Sequence, residues 1–185
     1  MARIDARRNI DALLAAAKEE FATQGVDVNV RAIAARAGVG TATLYRHFPL
    51  RSDLISAVFR REIDDCAAEA PLLAASHDPD QALDLWLQRY TGFVATKQGL
   101  AAALHSGDPA YNALPIYFED RLGPALKLLL EKAEAAGAVR GEIDPIDLLG
   151  AVANLCIAAP ASGDSLRAHR MVALLIDGLR YGARG

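Results

Sequence analysis

Apolar residues recur along this chain every three or four positions, and no stretch of strand length alternates in twos. That spacing predicts helices and no sheet. The first helix runs from about Asp5 to Thr23, sets Ile10, Leu13, Leu14, Ala17 and Phe21 on one face, and stops at Gln24-Gly25. Asp27 to Asn29 then leads into two brief helices. Gly38 ends the run Arg31 to Ala37, at a point where the left-handed backbone favours glycine. Asn29 is placed to cap the first of the pair, and Gly40 or Thr41 to open the second. Ile33, Ala34 and Ala37 form one apolar face, with Val39 and Leu44 as a wedge between the two helices. Phe48-Pro49-Leu50 closes the stretch, because proline cannot continue a helix and pushes the residue before it out of helical geometry.

The pattern after that point is longer in wavelength. A helix opening at Arg51 or Ser52 carries Leu54, Ile55, Val58, Phe59 and Ile63 as its buried stripe and is expected to end near Glu69-Ala-Pro71. Gln81 to Thr96 presents Leu83, Leu87, Tyr90 and Val94, and Lys97-Gln98-Gly99 is expected to stop it. A short piece from Leu100 to His105 follows, then a long helix from about Pro115 to Ala136. Ile146 to Ala159 and Ser165 to Tyr181 are the last two, separated by Pro160-Ala-Ser-Gly163. The chain is therefore expected to be all-α, with about nine helices.

The last two helices are apolar on more than one side, and such a helix must bury more than one side. One face can serve the chain's own core and another a second copy. Leu149, Val152, Cys156, Leu175 and Leu179 are the candidates for such an interface, and Gly150, Ala151 and Ala153 would permit close approach.

Composition narrows the class. Of the 185 residues 52% are apolar, enough for a real core. The longest uncharged run, Leu148 to Gly163, is short and holds Asn154 and Pro160, so no membrane partner is expected. Arg3, Asp5, Arg7 and Arg8 leave no room for a secretory signal core, which points to the cytoplasm. Cys66 and Cys156 are far apart and read as two free buried thiols. The net charge of −3 hides an asymmetry: residues 1–61 hold ten Lys or Arg against six Asp or Glu, and the remainder ten against seventeen. A basic first third on an acidic body suits a part that meets nucleic acid.

Enzyme chemistry does not assemble. Gly38-Val-Gly40 starts like a dinucleotide fingerprint, but no strand precedes it and position 43 is Thr. Gly163-Asp-Ser-Leu166 spells a hydrolase nucleophile block without the strand before it, and Ser165 instead suits a helix cap. His47, His77, His105 and His169 lie in separate elements without metal-ligand spacing. No cofactor, metal or catalytic group is expected.

The two brief helices have the form of a helix-turn-helix, in which the second presents its outer residues to a DNA groove. Phe21-Ala-Thr-Gln-Gly25, Val30-Arg-Ala-Ile-Ala-Ala-Arg-Ala-Gly-Val39, Thr43-Leu-Tyr-Arg-His-Phe48 and Arg51-Ser-Asp-Leu54 resemble the N-terminal domain of tetracycline-repressor-like (TetR family) regulators in order and spacing. The resemblance covers about the first third of the chain; the rest agrees in helix count and lengths. It implies a homodimer that binds a palindromic double-stranded operator, represses transcription, and releases when a small molecule binds the body. It divides the chain into a DNA-binding head at 1–50, a connecting helix at 51–70, and a ligand-binding and dimerisation body at 71–185.

Carried onto this sequence, Tyr45 and His47 match positions that touch phosphates or bases, and Arg51 matches a residue that grips phosphate. Arg31 matches a position that reaches a base edge, and Thr41, Ala42 and Thr43 line the groove-facing tip. Arg46 reads as a further phosphate contact. The tip is small and uncharged, so base readout would rest on a few hydrogen bonds, methyl contacts and DNA shape. In the body, Trp86, Tyr90, Phe93, Tyr111, Tyr117 and Phe118 hold most of the aromatic surface and are candidates to line an effector cavity, which favours an apolar or aromatic ligand. Two alternatives stand beside this reading: a repressor that needs no ligand, and a helical ligand-binding or enzymatic protein whose head serves assembly.

Overall fold

The computed structural model describes residues 2–104, 106–157 and 165–181. Among these, eight α-helices and one 3-10 turn are present and no strand: α1 Ala2–Gln24, α2 Val30–Arg36, α3 Thr41–His47, α4 Arg51–Ser76, α5 Pro79–Leu104, the 3-10 turn Pro109–Tyr111, α6 Leu114–Ala135, α7 Pro145–Ile157 and α8 Ser165–Tyr181. The all-α expectation holds, with a count close to nine. The difference lies at Gly99, where a stop and a separate short helix were expected and α5 instead runs on to Leu104. One interior glycine costs a helix only about 1 kcal/mol, too little to end a 26-residue helix.

Pro71 is the other breaker that fails to break. The helix expected to end there continues to Ser76. Ala70 is fully buried and seats the helix, while Pro71 sits on the exposed side. There water can take the backbone carbonyl that the missing N–H leaves without its helical donor. The linker Pro160 to Gly163 lies outside the described residues.

The chain forms two compact units. The first holds residues 1–61 and 96–115. Its core joins Leu13, Ala17 and Phe21 of α1 to Ile33 and Ala34 of α2, Leu44 of α3, and Leu54, Ile55 and Val58 of α4. The 3-10 turn belongs to this unit: Asp108 caps it by accepting from the Ala110 N–H at 2.9 Å, and the Ala110 carbonyl accepts from Ser56 Oγ at 3.3 Å.

The second unit holds residues 62–95 and 116–185. Trp86, Tyr90 and Phe93 of α5 are buried together with Cys66, Leu126, Leu129, Val152 and Ile176. Two polar ends are satisfied inside this core. Trp86 Nε1 donates to the Cys66 carbonyl at 2.9 Å, and the Tyr90 hydroxyl donates to the Leu149 carbonyl at 3.2 Å. Each ring is thereby fixed at its polar tip as well as by packing. At the edge, Tyr117 and Arg121 of α6 both donate to Asp64 of α4 at 2.8 Å.

Candidate nucleic-acid interface

Three helices of the first unit set the geometry of one short helix. Asn29 has extended backbone and its Oδ1 accepts from the Arg31 N–H at 2.9 Å, which starts α2 cleanly. At the other end Gly38 takes φ +69°, and the Val39 N–H reaches back to the Ala34 carbonyl at 3.0 Å. A side chain at Gly38 would meet no neighbour, so the demand for glycine there is purely one of backbone conformation. Gly40 then opens α3 with extended backbone. Leu44 is buried and anchors α3 from beneath, and Phe48 closes it with φ −131°.

The rest of α3 faces outward. Ala42, Tyr45 and Arg46 are exposed, with Tyr45 49% accessible although it is a large aromatic residue. Thr41, Thr43 and His47 are half-buried on the flanks, and the His47 ring lies 6.5 Å from that of Phe48. Arg31 is exposed on α2. The structure thus gathers Thr41, Ala42, Thr43, Tyr45, Arg46 and His47 on one seven-residue helix, and an exposed tyrosine directly before two basic residues is an unusual use of surface.

Arg51 is placed differently. Its Nη1 donates to the Val28 carbonyl at 2.9 Å and also to the Val26 carbonyl, so the guanidinium is turned onto the α1–α2 connection. Beside it the start of α4 is closed by Asp53, whose carboxylate accepts from the Leu50 N–H at 2.9 Å. Arg51 borders an open cleft of about 540 Å³, lined also by Val26, Ser52, Ile55, Asp108 and Tyr111 among others.

A feature missed from the sequence holds α2 against α1. Glu20 is buried on α1, and Arg36 at the end of α2 meets it with Nε at 2.5 Å and reaches Glu19 at 2.7 Å. Both glutamates hold the guanidinium's proton above its ordinary affinity, Glu20 the more strongly. The signal was available in Glu20, which falls among the apolar residues of the α1 stripe, between Ala17 and Phe21.

In the second unit the six aromatic candidates do not form one set. Trp86, Tyr90, Phe93 and Phe118 pack ring against ring, with neighbouring centroids between 5.9 and 6.2 Å; three of the pairs are stacked and Tyr90–Phe118 is tilted. Tyr117 instead binds Asp64, and Tyr111 belongs to the first unit. Burial pushes the Cys66 thiol up to about 12 and raises the Tyr90 hydroxyl as well.

The interface candidates on α7 and α8 also divide. Leu149, Val152, Cys156 and Leu179 are buried in the chain's own core, and Leu175 is half-buried. The apolar residues left outside are Ile146 on α7 and Leu166, Met171, Leu174 and Tyr181 on α8. Both helices are apolar on two sides, and the sequence does not say which side the core takes.

Among the described residues no group of three or more His, Cys, Asp or Glu is gathered to hold a metal ion, and no helix is long and apolar enough to cross a membrane.

Comparison with known proteins finds two families along the chain. Residues 13–58 match the family described as "Bacterial regulatory proteins, tetR family", and residues 78–181 match "Transcriptional regulator SbtR-like, C-terminal domain". A TetR transcriptional regulator from Streptomyces coelicolor is 35% identical, with 92% of this chain and 98% of that one covered at a TM-score of 0.80. A TetR transcription regulatory protein from Mycobacterium vanbaalenii is 31% identical, with 97% and 99% covered at 0.73. A TetR family regulator from Agrobacterium tumefaciens, 18% identical, shares the fold at 0.72 over 95% and 99%. A comparison with curated proteins finds no match. With matches to both parts and relatives aligned over nearly its whole length, the chain belongs to the TetR family of bacterial transcriptional regulators.

Proposed function

We propose that this regulator is a repressor that binds a palindromic operator as a homodimer and is released by a small molecule. The observation that carries the reading is the outer face of α3. A buried Leu44 fixes the helix, and Ala42, Tyr45 and Arg46 are spent on solvent. Tyr45, Arg46 and His47 supply phosphate contacts, while Thr41, Ala42 and Thr43 meet base edges and thymine methyls. Arg31 adds a cation at the groove's edge. The chain is expected to act in the cytoplasm, where its operator is.

The second copy docks on α8. Leu166, Leu174 and Tyr181 are exposed and recur at eight and seven residues, two helical turns each time, so they fall on one face. Leu174 is 65% accessible in a single chain, a cost that a partner helix would remove. Gly150 and Asn154 offer exposed polar or small positions on α7 for close approach. Two heads held this way would meet successive major grooves about 34–36 Å apart.

The effector is an apolar or aromatic molecule received beside the Trp86, Tyr90, Phe93 and Phe118 stack, with Phe118, which is half-buried, as its accessible edge. It acts by favouring a separation of the heads that no longer fits the operator. One observation favours the alternative of a ligand-independent repressor: the four rings fill the space between them with one another.

An anisotropy titration with labelled DNA from upstream of its own gene tests the function. Saturable binding that survives excess competitor DNA is expected, and binding no tighter than to random DNA would reject the reading. A thermal-shift screen of aromatic metabolites, followed by release from that DNA, tests the effector.

A further inference from the structure

We propose that Arg51 is a positioning residue for operator recognition, a clamp on the α1–α2 connection, and that it makes no phosphate contact. The inference rests on the operator-binding reading above. Its ground is the direction of the guanidinium, which donates from Nη1 to two carbonyls, those of Val26 and Val28.

The connection between Gly25 and Asn29 has little else to define it. Gly25 takes φ +78°, and the one backbone bond across the turn, from the Val28 N–H to the Gly25 carbonyl, is long at 3.4 Å. Val28 is buried, but Asp27 and Asn29 are exposed. Two charge-assisted hydrogen bonds from a half-buried arginine are therefore a large share of what sets this turn. The turn in turn sets α2, because Asn29 caps it from the next position with Oδ1 on the Arg31 N–H. The α2 end then fixes α3 through Gly38 and Val39. Nη1 carries two N–H donors, so this one nitrogen at the end of a long charged side chain can serve both carbonyls on one side of the turn.

The surroundings agree. Arg51 shares the cleft with Asp27 and Asp108, and Asp53 stands two residues on at the start of the same helix. The Tyr111 hydroxyl is raised by its burial and by Asp108 and Asp53 and lowered by Arg51, which places these groups in one electrostatic neighbourhood. Carboxylates therefore stand near the Arg51 charge on the side that faces the cleft.

The test uses the full chain with Arg51→Met, which keeps an unbranched apolar stem and removes charge and donors. Operator affinity should fall about tenfold while affinity for random DNA and the slope of log Kd against log salt stay as in the parent. In hydrogen exchange without DNA, amides at 25–31 should exchange faster while the Leu44 amide keeps its protection. Combined with Asn29→Ala, the loss in operator affinity should be clearly less than the product of the two single losses, since both act on the start of α2. A slope lower by about 0.9 with equal losses on operator and random DNA would overturn the proposal in favour of a phosphate contact. Loss of Leu44 protection would overturn it too, marking Arg51 as a determinant of the whole head. The exchange measurement needs no DNA, so it separates failure of the clamp from failure of the operator reading.

Discussion

Arg36 Nε lies 2.5 Å from Glu20 Oε1, joining the last residue of α2 to a carboxylate buried on α1. The carboxylate is the costly partner, since it is out of water and the guanidinium is half in it. Removing the cation leaves a buried charge unpaired, which costs more than losing the pair together. Arg36→Met should lower the thermal midpoint of the head clearly, and Glu20→Leu with Arg36→Met should recover part of that loss. Circular dichroism melts check it; a double variant less stable than Arg36→Met would contradict the pairing argument.

Tyr45 separates function from fold. It is exposed on α3 and has no place in the core, so Tyr45→Ala should change stability by no more than about 0.5 kcal/mol. Operator affinity should fall by about tenfold, or about 1.4 kcal/mol. Anisotropy and a melt on the same sample decide it.

The proposed α8 face makes a prediction about assembly. Leu174→Glu puts a charge in the middle of the exposed apolar row without touching Val172 or Ile176 beneath it. Sedimentation velocity should show a shift from dimer to monomer, with helicity retained and operator affinity falling because the two heads no longer bind together. A variant that remained dimeric would move the interface elsewhere.

The thiols give a pH dependence with a definite sign. Burial favours the neutral Cys66 thiol and raises it from 9.0 to about 12. The folded state holds that proton where the unfolded state has released it, so stability is fully present below pH 9 and is lost as pH rises toward 12. One such group gives a slope of about 1.4 kcal/mol per pH unit within that window. Tyr90, raised from 10.0 by burial, adds to the loss above pH 10. Urea unfolding at pH 8 and pH 10 measures the slope, and Cys66→Ala, compared with itself across the same range, should reduce it. At pH 8 an aromatic disulfide reagent should react with neither thiol before unfolding.

These results show where sequence reading succeeds and why it stops. The α2–α3 pair is legible because its boundaries depend on local chemistry: Asn29 as a cap, Gly38 at positive φ, Phe48 before Pro49. The length of α4 and α5 was not, because Pro71 on an exposed face and a single Gly99 are each tolerated inside a long helix, and the local sequence does not tell that they will be. The direction of a face is a tertiary property. Leu149 and Leu174 are both leucines on apolar helices, and only packing sends the first inside and leaves the second outside. Arg51 is the same lesson at a single residue. Its guanidinium donates to two carbonyls 23 and 25 positions earlier in the chain, a partnership that no local pattern at the start of α4 announces.

Base-resolved footprinting of the protein on DNA from upstream of its own gene tests the central claim most directly. The account predicts two protected half-sites related by a two-fold axis, with major-groove contacts centred about one helical turn, 34–36 Å, apart and lost in Tyr45→Ala. Protection without two-fold symmetry, or a footprint that Tyr45→Ala leaves intact, would contradict it.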